Sequence, residues 1–298
     1  MSSLVMFGAT GGLGMEVAKG LVTAEGFEPK RSVVRDASSD KAKKLQAMGW
    51  TLVEVKDLTD PAALEAVVQG AKVVVSTLSG NDMIPIETSI IHASKKAGVT
   101  LFVPSQFGVD YTRWGSAFPF LAGKKAVLDA AEKEGLPTLS VFAGFFSDLI
   151  FELFCDFENS KVTWIGDGND KVTWTRRSDI GYVLAKALAD PELSNGGTLG
   201  IQGDFQSFND ATKILGDALG KEFTIEYMDP NEAKKQEDEL LKNGLKGDLG
   251  AFFGSFKLHL MGEPARGNNG CDLSMSFNNY GIELQTLEDV CKSGVYGS

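Results

Sequence analysis

Short apolar runs alternate with amphipathic segments along the first half of the chain. The apolar runs have the length of strands, and the segments between them repeat their apolar residues at helical spacing. The run over Ala71–Leu78 is apolar almost throughout, as in strands that are covered on both faces. The predicted strands are Leu4–Phe7, Arg31–Arg35, Thr51–Val55, Ala71–Leu78, Thr100–Pro104 and Thr138–Phe142. The predicted helices are Leu13–Val22, Lys41–Met48, Pro61–Gln69, Thr88–Ala97 and Lys124–Glu134. This alternation predicts a doubly wound, mostly parallel α/β sheet.

The pattern becomes less regular after Phe146. A bulky apolar helix is predicted over Asp148–Phe157, and two strands are predicted within Lys161–Trp174, around the turn Gly166–Asn169. A loop is expected over Gly262–Asn269. Helices are further predicted over Ser178–Ala189, Asn209–Leu219 and Asn231–Lys242, and strands over Thr198–Gln202 and Glu222–Met228. We therefore expect a first domain over residues 1–150 and a smaller α+β lobe over 151–298, interleaved with the first.

A glycine-rich turn joins the first predicted strand to the first helix. The spacing Gly8-x-x-Gly11-x-x-Gly14 suits a tight turn, a close backbone approach to a pyrophosphate, and close packing of helix on strand. Thr10 adds a hydroxyl donor. The alternative is an ordinary glycine-rich turn, but its place between strand and helix favours a Rossmann-type dinucleotide-binding domain. The residues assigned to the pyrophosphate are Gly8, Thr10, Gly11, Gly12, Leu13 and Gly14.

The end of the second predicted strand distinguishes between the two nicotinamide cofactors. An acidic residue there would pair with the ribose hydroxyls of NAD, whereas an arginine suits the 2′-phosphate of NADP. Arg35 stands at this position, and Asp36 after it would point the opposite way along a continuing strand. Lys41 is either a second cation for the phosphate or a solvated surface charge. We therefore predict NADP(H), with Asp57-Leu58 near adenine and Ser76-Thr77 near ribose as positional expectations.

Composition restricts the remaining classes of function. The chain has 298 residues, and 40 Asp+Glu against 29 Lys+Arg give a formal charge of −11, which opposes binding to nucleic acid or anionic membranes. The opening apolar run is too short for a signal or membrane segment, so a cytoplasmic protein is expected. The cysteines and histidines are few and scattered, which disfavours a disulfide framework, a metal site or a Ser-His-Asp hydrolase. These residues are Cys155, Cys271, Cys291, His92 and His259.

Two patterns offer a catalytic lysine. Tyr182-x-x-x-Lys186 matches the Tyr-Lys pair of short-chain dehydrogenases, but it lies well beyond the predicted sheet, on a helix whose apolar positions indicate packing. The segment Leu101–Asp110 is more informative, because it resembles the Phe-Pro-Ser-Glu-Phe-Gly-x-Asp signature of the isoflavone reductase and phenylcoumaran benzylic ether reductase group of the NmrA-like, atypical short-chain dehydrogenase family. Further matching segments are Val34–Asp36, Ala97–Val99, Gly135–Thr138 and Ala143–Phe146. One departure is Gln106, which stands where the signature has glutamate.

The resemblance implies a role for a lysine on the helix before Gly135. In this family a lysine at the position of Lys124 acts as general acid/base beside the nicotinamide. Lys125 lies about 100° further around the helix, so that only one of the two can face the cofactor. The alternative is that both are surface charges at the start of the helix. The resemblance also implies that Ser105, Gln106 and Phe107 lie along the cofactor.

Aromatic residues near the signature suggest a hydrophobic substrate. We expect Trp114, Phe145 and Phe146 to line the substrate pocket, although core packing is the default for most aromatic residues here. The function predicted is an NADPH-dependent reductase of a small aromatic or secondary-metabolite-like molecule. The alternatives are an NmrA-like redox sensor that binds NADP(H) without catalysis, and an isomerase or epimerase on the same scaffold. The sequence leaves the oligomeric state open.

Overall fold

A five-stranded parallel sheet forms the centre of the N-terminal half. The computed structural model describes residues 2–80, 82–113, 118–268 and 270–296. The sheet order is β3-β2-β1-β4-β5, in which the chain winds in both directions from β1. The strands are β1 (Ser2–Phe7), β2 (Phe27–Val34), β3 (Thr51–Glu54), β4 (Ala71–Ser76) and β5 (Leu101–Val103). The predicted doubly wound α/β fold is confirmed.

Helices cover both faces of this sheet, and the alternation along β1 shows why its sequence is apolar from Leu4 to Phe7. Leu4 and Met6 are buried in the core on one face, whereas Val5 and Phe7 are buried in the core on the other. The helices of this half are α1 (Gly12–Leu21), α2 (Asp40–Ala47), α3 (Pro61–Val68), α4 (Met83–Lys96) and α5 (Pro119–Glu134).

Two helices begin five residues earlier than their patterns predicted. The helix expected from Thr88 begins at Met83, and the helix expected from Lys124 begins at Pro119. Proline is well suited to the first helical position, because the amide hydrogen that it lacks would have no partner within the helix. Lys124 therefore lies in the second turn of α5 rather than at its start.

The remaining strands extend this sheet and form two smaller ones. The strand β6 (Leu139–Phe142) follows a bridge between Phe102 and Thr138 beside β5, and pairs with a later strand in parallel. The other strands are β7 (Phe145–Phe146), β8 (Cys155–Asp156), β9 (Lys161–Ile165), β10 (Lys171–Thr175), β11 (Gly197–Gly200), β12 (Asp204–Ser207) and β13 (Thr224–Met228). The small sheets have the orders β12-β10-β7 and β13-β9-β8, while β11 lies beside β6.

The helices of the second half enclose a separate aromatic core. It includes the fully buried rings of Phe151, Trp164, Trp174 and Phe208. The helices are α6 (Ile150–Phe154), α7 (Arg177–Ala187), α8 (Phe208–Leu219), α9 (Pro230–Gly244), α10 (Leu249–Ala265) and α11 (Leu287–Lys292). Of these, α7 packs on α1 of the N-terminal sheet. No helix within the described ranges has both the length and the apolar character needed to cross a bilayer.

Several expectations for this half were wrong in detail. The helix predicted over Asp148–Phe157 is limited to α6. At its start, the Asp148 carboxylate accepts a hydrogen bond from Arg177, and at its end, Cys155 already pairs with β9. The two strands around Gly166–Asn169 exist but belong to different sheets. The loop expected from Gly262 begins later, because α10 continues to Ala265. Helix α11 was not predicted.

Candidate active site

Two adjoining cavities lie at the carboxyl ends of the central strands. The first, here called the outer cavity, has a volume of about 560 Å³ and includes Gly8, Arg35 and Lys41 in its wall. The second, the inner cavity, has a volume of about 330 Å³ and includes Lys124. Both are lined by Gly11, Thr77, Leu78, Ser79 and Met83, so they form one continuous cleft. Ligands of open α/β sheets bind at this edge.

The glycine turn lies where the two cavities meet. Gly8 has a φ of +80°, and a Cβ there would lie 2.8 Å from the carbonyl carbon of Thr77. Gly11 is the N-cap of α1 without a side-chain cap, so the first amides of the helix are directed toward the cleft. Gly12 and Leu13 line the inner cavity and Thr10 the outer one. This arrangement of backbone donors is suited to an anion.

Three cationic side chains line the outer cavity. They are Arg35, Lys41 and Lys56, and the last of these was not predicted. Lys56 lies two residues beyond the end of β3, and this position near a strand end is the signal that could have identified it. Asp36 is absent from the lining, because its carboxylate accepts hydrogen bonds from the backbone and hydroxyl of Ser38. The outer cavity therefore offers several positive charges to a phosphorylated ligand.

Lys124 is buried against the inner cavity. Its Nζ donates a hydrogen bond to the backbone oxygen of Ser105 at 2.7 Å and lies 5.3 Å from the centroid of the Phe120 ring. Burial lowers the pKa of Lys124 to about 8, and the negative charge of Glu87 opposes that shift. Lys125 is exposed and pairs with Asp129 at 2.6 Å. Of the two lysines, Lys124 faces the cleft, so the alternative of two surface charges is wrong.

Glu87 is a buried carboxyl that the sequence analysis missed. It lies on α4 and accepts a hydrogen bond from the backbone N–H of Ser105 at 2.8 Å. Burial raises its pKa, whereas the Ser76 hydroxyl, the Ser105 amide and Lys124 all lower it. The predicted helix began only at Thr88, so Glu87 was not among the predicted site residues.

The loop after β5 connects these groups. Ser105, Gln106 and Phe107 are buried and line the inner cavity. The Gln106 side-chain amide donates to the backbone oxygen of Lys124 at 3.0 Å and accepts from the hydroxyl of Tyr111 at 2.8 Å. Gln106 thus ties the loop to α5 at the lysine itself.

The other predicted site residues are placed as follows. Phe145 and Phe146 line the inner cavity, although Phe145 also packs on Trp174 and Phe208 of the aromatic core. Ser76 is fully buried and does not line the cleft.

The structure does not bring Tyr182 and Lys186 to the cleft, because both are exposed on α7. Gly14 packs beneath the turn, and Asp57-Leu58 line the outer cavity. Trp114 lies outside the described residues.

The part of the chain that the structure describes contains no cluster of His, Cys, Asp or Glu that could hold a metal ion. The cleft offers a buried amine, backbone donors and three cations. These groups fit an anionic cofactor in the outer cavity and a proton transfer in the inner cavity.

Known proteins resemble this chain over most of its length. The model of the NmrA-like family matches residues 1–288. An isoflavone reductase homolog IRL of Zea mays is 32% identical over 255 residues, covering 80% of this chain and 81% of the relative. Phenylcoumaran benzylic ether reductase Pyrc5 of Pyrus communis is 30% identical over 259 residues, covering 81% and 80%. The solved complex of leucoanthocyanidin reductase with NADPH from Vitis vinifera has a TM-score of 0.80 at 18% identity, covering 99% of this chain and 100% of that one, and it shows the likeness of fold.

Proposed function

Because this chain belongs to the NmrA-like family, as the sequence predicted, we propose that it is an NADPH-dependent reductase of a small aromatic, phenylpropanoid-type molecule, with Lys124 as the proton donor. The reductase names of its relatives support the class of reaction. The observation that carries the proposal is the buried ammonium of Lys124 on the wall of a cavity that adjoins the glycine turn.

The outer cavity holds the cofactor in this proposal. The backbone amides at Gly11 and Gly12 bind the pyrophosphate, and Arg35 and Lys41 bind the 2′-phosphate that distinguishes NADPH from NADH. Lys56 adds a third positive charge at the same end. When bound, NADPH supplies the hydride that reduces the substrate.

Lys124 supplies the proton. An amine whose pKa is lowered to about 8 is still mostly protonated at neutral pH, yet it releases its proton more readily than an exposed lysine. The Ser105 carbonyl orients Nζ, and the Phe120 ring shields one side of it from water. A general acid held in this way donates to the substrate atom that gains negative charge when the hydride adds to a carbon elsewhere in the substrate.

The inner cavity favours an aromatic substrate. Its lining is mainly apolar and includes the side chains of Phe120, Phe145, Phe146, Ile150 and Phe256. Its volume of about 330 Å³ lies at the lower end of the range for small-molecule sites, which suits a compact ring system.

Turnover tests the proposal directly. The oxidation of NADPH is measured with a panel of phenolic ethers and enones, alongside NADPH binding without substrate. Substrate-dependent oxidation supports a reductase. Tight binding with no turnover on any member of the panel would instead favour the redox sensor, and bound cofactor with substrate conversion but no net consumption would favour an isomerase.

Substitution of Arg35 by alanine is expected to weaken NADPH binding about 10- to 100-fold, since a charge-assisted contact to phosphate contributes roughly 1.5–3 kcal/mol. Binding of NADH, which lacks the 2′-phosphate, should hardly change. Fluorescence titration of both cofactors measures the difference. Lys44→Ala, which removes an exposed charge from α2 outside the cleft, is the control. Equal weakening for both cofactors would argue against a 2′-phosphate contact.

The rate should fall as pH rises through about 8. Lys124 must be protonated to act as an acid, so activity is present below its pKa and is lost above it. The measurement is kcat at saturating NADPH between pH 6 and 10, with NADPH binding followed over the same range. A rate that instead increases through this range would contradict proton donation by Lys124.

A further inference from the structure

We propose that Glu87 is a positioning residue for Lys124, supplying from α4 the carboxylate that the signature carries at the position of Gln106. The inference rests on the proposed role of Lys124 in proton transfer. In this proposal, Glu87 keeps the buried Lys124 ammonium charged and oriented.

Glu87 and Lys124 bind the backbone N–H and the backbone carbonyl, respectively, of one buried residue, Ser105. The Glu87 carboxylate accepts from the Ser105 N–H at 2.8 Å, and the Lys124 ammonium donates to the Ser105 carbonyl at 2.7 Å. All three residues are less than a tenth exposed. A displacement of Glu87 would therefore move the loop from which the lysine takes its orientation.

The charges of the pair are complementary. An isolated ammonium in an apolar cavity is destabilised and tends to lose its proton, and an opposite charge nearby counteracts this. Within the described ranges, Lys124 is the cation whose charge acts on Glu87, and the negative charge of Glu87 contributes to a raised pKa of Tyr111. The Tyr111 hydroxyl donates to Gln106, and burial raises its pKa, so it remains neutral near pH 7.

Gln106 and Glu87 have different functions beside the lysine. The Gln106 amide donates to the backbone oxygen of Lys124, which a carboxylate could not do because it has no proton to donate, whereas Glu87 provides the negative charge. The site thus contains one side-chain amide and one carboxylate, and the exchange of the two side chains would preserve the number of negative charges in it.

The test is a direct titration of Lys124. Lysine labelled with ¹³C at Cε is followed by NMR against pH, and the Lys124 resonance is assigned from its loss in Lys124→Met. Glu87→Gln, which keeps an oxygen to accept from Ser105, is expected to lower the Lys124 titration midpoint by about one pH unit or more. The exchange variant Glu87→Gln/Gln106→Glu should move the midpoint back toward the wild-type value. Glu65→Gln, which removes a partly exposed carboxylate paired with Lys96, should leave it unchanged.

An unchanged midpoint in Glu87→Gln, in a protein with wild-type circular dichroism, would overturn the proposal. A double variant that titrates like the single variant would overturn the claim that a carboxylate at position 106 can supply the charge that Glu87 supplies. In turnover assays, Glu87→Gln should shift the alkaline loss of kcat to lower pH without changing the affinity for NADPH. If the proposed reductase function is wrong, no variant will show turnover, whereas the titration midpoint of Lys124 will still change in Glu87→Gln.

Discussion

Replacement of Lys124 by methionine is expected to lower kcat for NADPH oxidation by about 10²- to 10⁴-fold, the usual contribution of a positioned general acid. Methionine is close to lysine in length and is apolar, so it fills the buried site without leaving a large cavity. NADPH affinity should change less than about threefold, because the proposed cofactor contacts lie in the turn and the outer cavity. Steady-state kinetics and fluorescence titration measure the two quantities.

Lys125→Met is the matched control for this prediction. Lys125 is the next residue on the same helix, but its side chain is exposed and pairs with Asp129. Its substitution should leave kcat within about twofold, because an exposed ion pair contributes little. Full activity in Lys124→Met would remove this lysine from the mechanism, and equal losses in both variants would indicate an indirect effect through α5.

The N-terminal half was predictable because its determinants are local in sequence. A strand buried on both faces is apolar along its buried part, as in Val73–Val75, and the glycines between Gly8 and Gly14 mark a turn with few alternatives. Arg35 could be identified by its place at a strand end. The structure brings these residues to a single cleft, as the parallel order of the strands requires.

The environment of the lysine was less predictable, because it depends on contacts between distant segments. Glutamate is usually an exposed residue, and Glu87 is buried because α4 packs against segments that are distant in sequence, among them the loop that contains Ser105. The polar partners of Gln106 likewise come from α5 and from Tyr111. The pattern of apolar residues shows the periodicity of one segment, whereas the burial of a charged residue depends on which other segments pack against it.

The second half departs further from expectation for a related reason. The apolar residues of Asp148–Phe157 fit a helix, yet their rings pack into a core shared by three sheets and several helices, and Cys155 pairs as a strand. Short strands such as Phe145–Phe146 form because they pair with a neighbouring strand, here β10, rather than because their own residues favour a strand. The walls of the inner cavity come partly from this half, so the substrate cannot be identified from local patterns.

Gly14→Ala is expected to lower the free energy of unfolding by about 3 kcal/mol or more, because the added methyl has no space. A Cβ at Gly14 would lie 2.1 Å from the backbone oxygen of Gly8 and 2.7 Å from Oγ1 of Thr77. The Gly8 oxygen cannot yield easily, since it accepts from the Gly11 N–H at 2.9 Å within the turn. Binding of NADPH should be lost as well, because the turn itself must shift.

Gly12→Ala provides the control for this substitution within the same helix. The nearest atom to a Cβ at Gly12 is Nη1 of Arg177 at 3.7 Å, an ordinary contact distance. Alanine there should leave the stability unchanged or raise it by up to about 1 kcal/mol, because it reduces the freedom of the unfolded chain. Urea denaturation of the cofactor-free proteins measures both effects. Similar stabilities for the two variants would show that α1 can move away from β1 at little cost, and that close packing at Gly14 is not what holds the turn in place.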